Sequence, residues 1–77
     1  MYLTADEFYK IRKVYRLTQT EVGALCEVSP AYINMIEKGS RNLSERVKRR
    51  LITELKLTPE KLARILAIYE ETNIRGI

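Results

Sequence analysis

Between positions 31 and 50, six cations (Lys38, Arg41, Arg46, Lys48, Arg49 and Arg50) are set against two anions, Glu37 and Glu45. That stretch carries the whole net charge of +4. In residues 1–30 and again in 51–77, four basic and four acidic side chains cancel. A local surplus of this kind attracts polyanions, although a solvated helix face with a mild imbalance has the same composition. Other chemistries lack their parts. The 77 residues include no histidine and one cysteine, Cys26, which excludes an internal disulfide, the usual zinc ligand sets and histidine-based catalysis. There is no glycine-rich phosphate loop and no evident pair of carboxylates in a cleft, so neither an enzyme nor a cofactor, metal or small-molecule substrate is expected. The opening "MYLTADEFYK" is acidic where a signal peptide needs an apolar run. No apolar stretch approaches the roughly 20 residues that span a bilayer. The expected setting is the cytoplasm, without a membrane.

Such charges act only if helices or strands hold them in place, and the chain repeats one helix-start signal. An apolar residue precedes Ser or Thr, and a second apolar residue follows four positions after the hydroxyl. Leu3-Thr4 leads to Phe8, Leu17-Thr18 to Val22, Val28-Ser29 to Ile33 and Leu57-Thr58 to Leu62. Each hydroxyl can accept from an otherwise unpaired N–H of the first turn, while the apolar pair staples the chain at that end. Glu7 and Glu21 complete capping boxes with Thr4 and Thr18. Leu43-Ser44 opens a fifth instance but has Lys48 in the apolar slot. Pro30 and Pro59 sit at the first helical position, where a missing N–H does no harm.

These signals predict an all-α single domain over residues 1–77, with helices at about 5–15, 19–26, 30–38, 45–55 and 59–72. Apolar residues recur at helical spacing, as in Phe8, Ile11 and Tyr15 or Val47, Leu51 and Leu55. Helix ends are less clearly marked. Only Gly39 supplies the usual terminal glycine; Arg16, Glu27 and Lys56 occupy the other breaks, where a left-handed backbone costs a non-glycine residue about 1 kcal/mol. The tail "NIRGI" reads as frayed. A helix of eight residues is not stable alone, so the second and third must be held together across a short turn, as a helix-turn-helix at about 19–38. Gly23 fits that need. It costs a helix interior about 1 kcal/mol relative to alanine, and close approach of the third helix is a reason to accept it.

"LTQTEV" and "VSPAYINMIEKGSRN" resemble the L-T-Q-x-x-L and V-S-x-x-x-I-x-x-I-E-x-G-x-R-x segments of Cro/CI-type (Xre) helix-turn-helix domains from phage and bacterial regulators. The resemblance covers roughly residues 8–66 and implies a five-helix, lambda-repressor-like fold. It makes Val22, Cys26, Val28, Ile33 and Ile36, with the small residue Gly23, the wedge between the two helices. Where the family has glycine in the turn, this chain has Glu27. Carried over, the resemblance places Pro30, Ala31, Tyr32, Asn34 and Met35 nearest the bases. Asn34 is the best hydrogen-bonding group among them and would suit adenine; Met35 and Tyr32 could instead belong partly to the core. Gln19, Lys38, Ser40, Arg41 and Asn42 fall to the phosphates. The family also pairs the positions of Arg12 and Glu37, which would tie the third helix to the scaffold.

One such domain makes few DNA contacts, so two copies on adjacent half-sites are expected. Leu62, Ile65, Leu66, Ile68 and Tyr69 offer a seam for a homodimer. The expected function is a sequence-specific, nucleoid-associated transcriptional regulator, a phage or bacterial repressor acting on a double-stranded operator. The other reading is a module that binds another repressor protein through the apolar third-helix residues, as an antirepressor does.

Overall fold

The computed structural model describes the backbone of residues 2–75 and the side chains of residues 2–72. Five α-helices follow in order: α1 (Ala5–Val14), α2 (Gln19–Cys26), α3 (Pro30–Lys38), α4 (Glu45–Leu55) and α5 (Pro59–Arg75). Each starts on a hydroxyl. Thr4 and Thr18 form full capping boxes with Glu7 and Glu21. Ser29 and Ser44 accept from the amides of Tyr32 and Val47, and Thr58 accepts from that of Lys61. The irregular slot at Lys48 is filled without an apolar residue. Its ammonium bonds Glu45 at 2.9 Å and lies 5.4 Å from the centre of the Tyr2 ring. Helix α5 runs three residues beyond its predicted end, to Arg75; the rest of the "NIRGI" tail lies outside the described residues.

The junctions show why so short a chain holds five helices. Arg16, Glu27 and Lys56 are all left-handed, with φ of 56°, 62° and 52°. In each case the next amide, that of Leu17, Val28 or Leu57, closes the finished helix by bonding a carbonyl five residues back (Arg12, Gly23 and Ile52). The same apolar residue precedes the hydroxyl that caps the next helix. Left-handed residue, apolar residue and hydroxyl thus end one helix and begin another within three positions. Gly39, at φ 84°, closes α3 in the same way through the Ser40 amide and the Met35 carbonyl.

Glu27 carries this strain with a partly exposed carboxylate, 3.6 Å from Arg46 and 3.9 Å from Arg50. Exposed pairs of that length contribute ~0–1 kcal/mol, whereas the left-handed backbone costs a side chain roughly 1–2 kcal/mol. Glu27→Gly is therefore expected to raise the Tm by a few degrees, at about 4–8 °C per kcal/mol for a domain of this size. Calorimetry returning a lower Tm would show that the two ion pairs outweigh the strain.

The core consists of Leu3, Phe8, Ile11, Val22, Cys26, Ile33, Ile36, Val47, Leu51, Leu57, Leu62 and Ile65, all buried. Helix α5 packs along α1, α2 lies between α3 and α4, and α1 also meets α3. Burial pushes the Cys26 thiol up from its ordinary value, and it sits as a small core residue 3.8 Å from the Val47 carbonyl. No helix among the described residues is long and apolar enough to cross a membrane.

Packing on α1 corrects the expected dimer seam. Leu62 and Ile65 are buried and Leu66 packs against the same cluster. Tyr69 meets Tyr9 edge-on at 6.4 Å and has Lys10 over its ring at 5.5 Å. Of the five residues, only Ile68 is exposed. The physical reason is the size of the domain: with four short helices, the core closes only when α5 turns its apolar stripe inward.

Candidate nucleic-acid interface

Helix α3 owes its position to Gly23. A Cβ built there would lie 2.6 Å from the Val28 carbonyl oxygen, with Ser29 C and Pro30 N at 3.4 Å. The close approach is therefore to the turn that launches α3 rather than to α3 side chains. Ile33 and Ile36 bury one side of the helix completely. On the other side Pro30, Ala31 and Lys38 are exposed, and Asn34 and Met35 flank them half-buried. Because α5 lies against α1, this outer face stays open. Tyr32 is also half-buried, packs against the core and lines a shallow cleft with Val28, Ser44 and Val47, so it belongs partly to the core.

A polar cluster locks α3 to α1 and α2. Arg12 grips Glu37 with two bonds, Nε to Oε2 at 2.6 Å and Nη2 to Oε1 at 2.9 Å, and its Nη1 donates to the Leu17 carbonyl at 2.9 Å. Both side chains are largely hidden, 12% and 6% exposed. Gln19 joins them, its Nε2 donating to Glu37 Oε1 at 3.0 Å and to Asn34 Oδ1 at 3.2 Å. Both amide protons of Gln19 are thus engaged within the protein, leaving an oxygen where a phosphate ligand needs a donor.

The basic surplus is narrower than its composition suggests. Arg46 and Arg50 reach Glu27, Arg50 also reaches Glu54, and Lys48 pairs with Glu45. The hydrogen bond from the Lys48 ammonium, together with its charge, holds the Glu45 carboxyl below its ordinary value. Arg50 has a scaffold role that sequence reasoning missed: Nη2 donates to the Leu25 carbonyl, at the end of α2, at 3.0 Å. Lys61 does the same for the Leu55 carbonyl at 2.7 Å. Such bonds satisfy orphan carbonyls of a helix end, yet an Arg or Lys on an amphipathic helix carries no local sign of them. Lys38, Arg41 and Arg49 remain exposed and in no ion pair among the described residues. Lys38 ends α3, and Arg41 stands with Ser40 and Asn42 in the exposed loop that follows it.

Residues 8–62 match the helix-turn-helix family, in its Cro/C1 type. The chain belongs to that family. No curated protein and no solved structure matches it. As a Cro/C1-type helix-turn-helix protein it is a DNA-binding regulator of transcription. The matched span includes the Arg12–Glu37 lock, the Gly23 contact and the loop after α3. The shared pattern of this Cro/C1-type domain thus covers the open face and the parts that hold it in place.

Proposed function

We propose that this helix-turn-helix protein is a sequence-specific repressor that lays the outer face of α3 in the major groove. The observation that carries this reading is an open face, bearing Ala31 between Asn34 and Met35, next to the two exposed and unpaired cations Lys38 and Arg41. Pro30, Ala31, Asn34, Met35 and the exposed part of Tyr32 meet base edges and thymine methyls. Lys38, Ser40, Arg41 and Asn42 hold the backbone. Phosphate contacts supply affinity and register, while base contacts supply specificity. Two copies on half-sites about 34 Å apart provide the binding strength that one small domain lacks. The cytoplasm is the proposed location.

The test is a gel-shift titration against duplexes selected from a randomised pool, at several salt concentrations, with the number of chains per duplex measured on the same samples. Two chains per selected duplex support the reading. Arg41→Ala is expected to weaken binding to all sequences alike and to flatten the log–log salt slope by about one unit. Loss confined to one operator sequence would instead make Arg41 a base reader. The exposed Pro30 and Ala31 and half-buried Met35 also favour a second reading, in which the same face docks on another repressor. A folded protein that retains no duplex would support that alternative.

A further inference from the structure

The side chains joining α1, α2 and α3 form a one-way hydrogen-bond relay. Glu37, gripped by Arg12, is a carboxylate and only accepts. The part of Gln19 that meets it must be the amide nitrogen, at 3.0 Å, and the second proton of that nitrogen goes to Asn34 at 3.2 Å. A donor on that side obliges Asn34 to turn Oδ1 inward. Its Nδ2 then points away from Gln19; it has no bonding partner among the described residues and is not buried. For a lone Asn or Gln the two orientations of the amide are a free choice. Here a charge at one end of the chain of bonds decides it for two residues in succession.

We infer that Asn34 presents only N–H donors to the duplex and therefore selects guanine over adenine. In the major groove guanine offers two acceptors, N7 and O6, whereas adenine offers N7 and a donating amino group. An asparagine pairs with adenine by giving one bond and accepting the other, and the relay turns its acceptor away. Gln19 is the positioning residue: without touching DNA it sets which base Asn34 reads. The inference rests on the proposed placement of α3 in the major groove.

The experiment compares wild type, Asn34→Ala and Gln19→Ala on duplexes selected from a randomised pool, with folding checked by circular dichroism. Wild type is expected to favour guanine over adenine about tenfold at one position, a typical discrimination for a side chain making two bonds to a base. Asn34→Ala removes that preference. Gln19→Ala leaves Glu37 paired with Arg12, so the domain folds, but it frees the Asn34 amide to turn over and the ratio falls to within about twofold. With wild-type protein, 7-deazaguanine at that position weakens binding about tenfold because the N7 acceptor is gone, while hypoxanthine, which keeps N7 and O6, binds as guanine does. Adenine at the Asn34-dependent position, a guanine preference untouched by Gln19→Ala, or an Asn34→Ala loss equal on all sequences overturns the inference alone. A folded wild type that selects no sequence overturns the major-groove reading together with it.

Discussion

Glu37→Ala is expected to lower stability by about 3–5 kcal/mol, the cost of stranding one member of a buried ion pair. The lost carboxylate accepts three bonds, two from Arg12 and one from Gln19. Its removal leaves the Arg12 guanidinium, 12% exposed, with the Leu17 carbonyl at 2.9 Å and the face of the Tyr9 ring at 5.5 Å but no counter-charge. Small domains are stable by roughly 5–15 kcal/mol and those of this size by the lower part of that range. The Tm should therefore fall on the order of 20 °C. Replacing both partners, Arg12→Met with Glu37→Leu, should be far milder than the sum of the single changes, because no charge then remains buried. A thermal double-mutant cycle with additive losses would mean that the two side chains do not act as a pair.

Gly23→Ala should reduce both stability and DNA binding. Helix propensity alone favours alanine by about 1 kcal/mol, so a glycine merely placed in α2 would make this substitution stabilising. The new Cβ, however, meets the Val28 carbonyl oxygen at 2.6 Å, and that atom belongs to the backbone and cannot swing aside. Overpacking of this kind costs about 1–3 kcal/mol. Relief comes only by moving the turn away from α2, which also breaks the 2.9 Å bond from the Val28 amide to the Gly23 carbonyl and re-aims α3. Affinity for a selected duplex should consequently drop further than the loss of folded protein explains. A higher Tm with unchanged affinity would show that the two segments are not in tight contact.

The two substitutions differ in how visible their causes are in the chain itself. Gly23 is conspicuous as a glycine inside a short helix with a cap at each end, and a reader of the sequence can ask what needs the space. The answer differs in detail: the turn at Val28, not the body of α3, fills it. Arg12 and Glu37 are 25 positions apart, and nothing in periodicity or capping joins them; only family resemblance pointed to the pair. Gln19 was readable as the first residue of α2, with its side chain free for phosphate. Its bonds to residues 15 and 18 positions away exist only once α3 crosses α2. The apolar stripe of α5 shows the same limit, since its spacing defines a buried face but not the partner that buries it.

Helix starts and the brief junctions between helices were determined by the sequence alone. A hydroxyl caps an amide three residues on, and a left-handed residue closes a helix through a bond five residues long, so both ends of the interaction lie in neighbouring positions. The tertiary structure alone decided which cations stay unpaired, which way the Gln19 and Asn34 amides face, and that the apolar stripe of α5 packs along α1. Those outcomes depend on atoms brought together from distant parts of the chain, where a hydrogen bond or an ion pair forms only after the helices have packed.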